Sequence, residues 1–115
     1  MAVVRASNAF SANIVVDDKN TTVVLLGELD MDSARELNNV LSELFEQGPD
    51  EVVLDFSGLS FIDSSGIGAL ISAQKLLKAQ GRHLAIRSPR ALVVKVFEVT
   101  DLMDFLNVQT VRSTE

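Results

Sequence analysis

Apolar positions come first in short runs and then change period. Ile14 to Val16 and Val23 to Leu26 are β-branched or leucine-rich, and Asp17-Asp18-Lys19-Asn20 between them is a polar, turn-forming tetrapeptide. Two such runs around such a loop predict an antiparallel hairpin. Past Gly27-Glu28-Leu29-Asp30, the residues Ala34, Leu37, Leu41, Leu44 and Phe45 follow the three-and-four spacing of one helix face. Ser33 with Glu36 three residues on has capping-box spacing, which predicts a helix start there, and Gly48-Pro49 stops it.

Glu51 to Phe56 is a short apolar strand of the kind buried in a sheet, and Gly58 to Ile62 reads as a loop re-entering the core. Ser64 or Ser65 opens a second helix, with Ile67, Leu70, Ile71 and Leu77 on one face. Lys75 and Lys78 suit the C-terminal end of its dipole, and Gly81 ends it. Arg82 to Arg87 is another strand. Ser88-Pro89 reads as a cap and a first-turn proline, so a third helix is expected through Leu92 to Phe97 although that stretch is rich in valine. Thr100 to Leu106 reads as a turn or short helical piece, and Val108 to Val111 as a weak last strand. The order hairpin, helix, strand, helix, strand, helix predicts an α/β fold with a mixed sheet.

At 115 residues the chain is expected to form one compact domain. Apolar residues make up 47% and charged residues 23%, as in a globular protein with a single core. The net charge of −6 argues against a duplex binder or a membrane-surface binder, which need a basic face. With no Cys and one His, disulfides, thiolate chemistry and multi-histidine metal sites drop out. No cofactor is expected. Ala2 to Val4 is apolar, but Arg5, Ser7 and Asn8 break the segment, so it does not read as a signal peptide. The apolar runs fall far short of the roughly 20 residues of a membrane span. A cytoplasmic protein is the simplest expectation.

One stretch stands out: Leu59-Ser60-Phe61-Ile62-Asp63-Ser64-Ser65-Gly66-Ile67-Gly68. It delivers Asp63-Ser64 to a helix start, where backbone N–H groups lack intrahelical partners. The plain explanation is a cap. Yet two hydroxyls stand where one cap would serve, and Gly66 and Gly68 occupy the first turns at about 1 kcal/mol each relative to alanine. Both glycines are expected to keep the approach clear for a large partner, and a helix N-terminus suits a phosphate. Known enzyme motifs do not fit. Ile71 stands where a dinucleotide fingerprint needs its third Gly, no Gly-Lys-Ser/Thr exists, and Ile62 stands where a nucleophile elbow needs Gly. His83, the only imidazole, reads as a polar strand residue, so hydrolase activity is not expected. Glu28 and Asp30 form a second candidate feature, whose plain explanation is acidic residues leading into a helix. Asp17, Asp18, Asp101 and Asp104 read as turn and cap residues.

Gly27-Glu28-Leu29-Asp30, Val52-Val53-Leu54-Asp55-Phe56 and Phe61 to Gly68 together resemble the bacterial anti-sigma factor antagonists of the STAS domain family. The resemblance runs from about Asn13 to Val111 and includes Ser88-Pro89 and Leu102. It implies a mixed four- or five-stranded sheet with helices packed mainly on one side. It implies a partner-switching protein, not an enzyme, that binds an anti-sigma factor serine kinase and so frees a sigma factor in transcription or stress regulation. The kinase would phosphorylate Ser64, with Asp30, Asp63, Ser65 and Gly66 close by. Glu28, Ile67, Gly68 and Leu102 would belong to the docking surface. A metal-dependent serine phosphatase would reset the switch, and the protein would be a monomer or weak dimer. The alternative within the family is a small subunit of a signalling scaffold or lipid-transport complex.

Overall fold

The computed structural model describes residues 2–7, 10–17 and 20–110. Strands β1 (Ala2–Ser7), β2 (Phe10–Asp17) and β3 (Asn20–Leu29) are followed by helix α1 (Met31–Glu46) and strand β4 (Glu51–Ile62). Helix α2 (Ser64–Ala79), strand β5 (His83–Arg87), helix α3 (Ala91–Val99) and strand β6 (Val108–Gln109) complete the order. The strands form one sheet in the order β1-β2-β3-β4-β5-β6. Pairing is antiparallel from β1 to β3 and parallel from β3 to β6, so the sheet is mixed as expected. Its six strands exceed the expected four or five because Ala2–Ser7 adds an edge strand to β2. From sequence that segment is weighed only as a signal peptide and assigned no strand.

The hairpin, the three helices and β5 stand close to where their periodicity puts them. Residues 18 and 19 of the predicted turn and Val111 of the predicted last strand lie outside the described residues. One face of the sheet carries Val23, Leu25, Val52 and Leu54, all buried completely, against Leu37, Val40, Leu41 and Leu44 of α1. Alternation is clean along the first half of β4, where Val52, Leu54 and Phe56 are buried and their neighbours half-buried. The core starts earlier than Asn13, since Phe10 and Ala12 are buried in it. On the opposite face of the hairpin, Val15 and Leu26 are exposed.

Four local expectations need correction. The cap of α1 is Asp30, and Ser33 is the N3 member of the box instead of its start. Gly58 to Ile62 is strand and not loop. The β3–β4 register slips between Val24 and Leu26 and again between Gly27 and Glu28, so two bulges carry β4 on to Ile62. Gly58 sits at the first of them, where a Cβ would lie 2.2 Å from Leu26 Cδ2 and 3.1 Å from the Leu25 carbonyl. Ser88-Pro89 precedes α3 without capping it: Ser88 has φ 58°, its N–H donates to the Gln109 carbonyl at 2.7 Å, and Arg90 occupies the cap position without a side-chain capping bond. The inward face of α2 is Gly66, Ala69, Leu70, Ala73, Gln74 and Leu77, with Ile67 and Ile71 only half-buried. Small residues let this helix lie close.

Gln74 is fully buried, and its amide ties three elements together. Nε2 donates to the carbonyls of Leu84 (3.1 Å) and Phe105 (2.7 Å), and Oε1 accepts from Leu84 N–H (2.8 Å). Gln74→Leu would keep the volume but leave buried backbone groups without partners. Each such group costs about 1–3 kcal/mol. A urea denaturation midpoint well below that of the parent is expected, and an unchanged midpoint would contradict the role.

Candidate functional site

Strands β3 and β4 are parallel and end side by side, with Leu29 paired to Ile62. Each is followed at once by an aspartate and a helix. Asp30 caps α1 and Asp63 caps α2, both in extended backbone with the side chain turned onto the helix N–H groups. Asp63 Oδ1 accepts from Ser65 N–H (2.9 Å) and Gly66 N–H (3.1 Å). Asp30 Oδ1 accepts from Asp32 and Ser33 N–H, both at 3.1 Å. The Asp63 N–H donates to the Leu29 carbonyl at 3.1 Å, which locks the two corners together. Two helix N-termini, each with a positive dipole end, therefore open side by side beyond the C-terminal ends of the two central strands.

Ser64 is the first residue of α2 and is exposed, while Asp63 and Ser65 are half-buried. Ile67 and Gly68 lie three and four residues further, so they share the helix face of Ser64. Glu28 is exposed and pairs in register with Phe61. Ser64, Ile67 and Gly68 thus form one patch on α2, and Glu28, Asp30 and Asp63 border it at the strand ends. Leu102 stands apart. It is half-buried against the core in the turn after α3. That turn is anchored through the Phe105 carbonyl to Gln74, ten residues and so about 15 Å along α2 from Ser64.

The two glycines differ. A Cβ on Gly68 would meet nothing within 4 Å, but one on Gly66 would lie 2.8 Å from Leu29 Cγ and 2.9 Å from Ile62 Cγ1. Gly66 is therefore a packing glycine at the core side, and the expectation that it clears the approach is corrected to Gly68 alone.

The end of β3 is irregular, and that shapes the site. Gly27 has φ 101°, and the three carbonyls that follow the slip find partners outside the regular ladder. Gly27 accepts from Ser60 Oγ (3.1 Å), Glu28 from Ser33 Oγ (2.7 Å), and Leu29 from Asp63 N–H. The Ser33 N–H, donating to Oδ1, leads the effects that hold the Asp30 carboxyl below its ordinary value of 3.8, and desolvation opposes them. Asp30 is thus a carboxylate at neutral pH.

Ser60, Phe61 and Ile62 also line an apolar groove of about 230 Å³ with Leu92, Val93 and Val96 of α3. Phe61 and Leu92 are exposed at its rim. Phe61 lies within the stretch singled out from the sequence, whereas Leu92 carries no sequence signal for a groove. His83 pairs with Glu51 at 3.0 Å where β4 begins, at the opposite end of that strand from Ser64. Among the described residues no group of three or more His, Asp and Glu is placed to hold a metal ion. No described helix is long and apolar enough to cross a membrane.

Known proteins match this arrangement. The STAS_2 family model, described as Mlab, STAS domain, matches residues 13–109. The anti-sigma-B factor antagonist of Bacillus subtilis (strain 168) is 32% identical over 100 residues, which cover 84% of this chain and 91% of that protein. The structure of the anti-sigma factor antagonist SpoIIAA in its unphosphorylated form superposes with a TM-score of 0.74 at 26% identity, covering 91% of this chain and 90% of the other. The Bacillus cell fate determinant SpoIIAA in the phosphorylated form gives 0.69 at 25% identity, covering 91% and 93%.

Proposed function

This chain belongs to the STAS domain family, and on that premise we propose that it is an anti-sigma factor antagonist switched by phosphorylation of Ser64. In the unphosphorylated state it binds an anti-sigma factor that is a serine kinase, and so releases a sigma factor. Phosphate on Ser64 ends the complex, and a serine phosphatase restores it. The docking surface is the α2 patch of Ser64, Ile67 and Gly68 with Glu28 beside it.

The observation that carries this reading is an exposed serine hydroxyl at the first turn of α2, between two capping aspartates and with Gly68 leaving its face open. The relatives support it by name: one antagonises an anti-sigma factor, and one has been solved with and without phosphate. The role requires no catalytic base near Ser64. A phosphate adds about −1.5 to −2 charge at pH 7. The helix N-terminus tolerates that charge, so the fold can stay as it is, while Asp30 and Asp63 add to the negative potential an approaching partner meets. A tenfold loss of affinity needs only about 1.4 kcal/mol.

Phosphopeptide mapping after treatment with the cognate kinase tests the assignment. Phosphate is expected on Ser64 and not on half-buried Ser65. Phosphate on Ser65 of the parent protein would contradict it.

A further inference from the structure

We propose that Ser33 is a positioning residue for the docking edge: buried and out of a partner's reach, its hydroxyl sets the Glu28 carbonyl and the Asp30 carboxylate beside Ser64. The inference rests on the reading proposed above and names the device that keeps its site in register.

Ser33 is completely buried, one of few polar side chains in that state among the described residues. Its Oγ accepts from Asp30 N–H at 2.8 Å, donates to the Glu28 carbonyl at 2.7 Å and lies 3.0 Å from Asp30 Oδ1. Its own N–H donates to that same carboxylate oxygen at 3.1 Å. One side chain therefore grips both ends of the segment Glu28 to Asp30. That segment needs gripping, because the ladder has just slipped and Gly27 is in the left-handed region.

The other two anchors of the segment differ in kind. The Ser60 bond to the Gly27 carbonyl is exposed, so water can replace it. The Asp63 N–H bond to the Leu29 carbonyl is backbone, and a side-chain substitution there leaves its donor in place. Ser33 is the buried side chain of the three, and Ser33→Ala leaves the Glu28 carbonyl and Asp30 N–H without that partner. The strand end should then relax, taking the Glu28 and Asp30 side chains with it.

The test uses the full chain and two readouts. Ser33→Ala keeps the backbone N–H at position 33. Only relaxation of the strand end, which draws the Asp30 carboxylate off its N–H donors, should therefore move the NMR titration of the Asp30 carboxyl carbon upward toward its ordinary value of 3.8. The variant should also weaken calorimetric binding to the unmodified anti-sigma factor kinase by roughly fivefold, through displacement of the Glu28 and Asp30 side chains. Ser33→Cys, of similar size with a weak S–H donor, should shift both readouts the same way and serves where the alanine variant does not fold. A folded variant with either readout unchanged overturns the inference. If the parent protein itself does not bind the kinase, the proposed function fails, and the Asp30 titration still decides whether Ser33 positions that carboxylate.

Discussion

Replacing Ser64 with Asp or Glu is expected to weaken binding to the anti-sigma factor kinase by about tenfold or more, with the melting temperature level or slightly raised. Ser64 is exposed at the first position of α2, so the substitution buries nothing. Acidic side chains at a helix N-terminus are favoured by about 0.3–1 kcal/mol. The carboxylates of Asp30 and Asp63 offset part of that gain, which is why the expected change in stability is small. Lost binding would then come from charge at the interface and not from unfolding. A carboxylate carries about one charge against nearly two for phosphate, so the acidic variants should fall short of the enzymatic modification. Ser64→Ala should bind and remain unswitchable. Calorimetric binding paired with a melting curve for each variant reads both halves, and an acidic variant that binds like the parent contradicts the first.

The second large effect separates the two glycines of α2. Gly66→Leu should destabilise the fold, because its Cβ alone would press on Leu29 and Ile62, both buried. Overpacking of this kind costs about 1–3 kcal/mol, and the remaining leucine atoms add to the conflict. The helix-propensity gain over glycine, about 1 kcal/mol, does not offset it. Gly68→Leu meets open space, keeps that propensity gain, and should melt at or above the parent temperature. It stands one turn from Ser64 on the same face, so it should impair docking in a well-folded protein. Thermal melts with binding assays on both variants make the comparison. A Gly66→Leu protein of parental stability, or a Gly68→Leu protein of parental affinity, would each contradict the placement of its glycine.

The elements legible from sequence are those whose burial is periodic over many residues. Leu37, Leu41 and Leu44 announce α1, and the apolar runs about residues 17–20 announce the hairpin. The second half of β4 is hidden because two bulges break its alternation, leaving Ser57, Gly58 and Ser60 to read as turn residues. Placing the α1 cap at Ser33 follows from weighing Glu36 above Asp30. The signal Asp30-x-x-Ser33 is there with the residue types of the usual box exchanged, a carboxylate at the cap and a hydroxyl at N3. Both side chains still accept from backbone N–H groups. Asp63 and Ser64 are legible at the site because cap, hydroxyls and glycines are contiguous. The meeting of Asp30 with Asp63 is reached only through the family resemblance, since it depends on parallel pairing between strands separated by a whole helix. Gly66 and Gly68 look alike in sequence, and only the packing of α2 on Leu29 tells them apart. Ser60, whose hydroxyl donates to the Gly27 carbonyl, carries no local pattern, and the box spacing of Ser33 does not show that its hydroxyl also reaches the Glu28 carbonyl.

The central claim is that charge at Ser64 controls a binding surface on an otherwise unchanged fold. Its most direct measurement is calorimetric titration of the anti-sigma factor kinase with the full chain, once unmodified and once stoichiometrically phosphorylated on Ser64. The unmodified protein is expected to bind, and the phosphorylated protein to bind at least about tenfold more weakly with an unaltered melting curve. Equal affinity of the two forms would contradict the account.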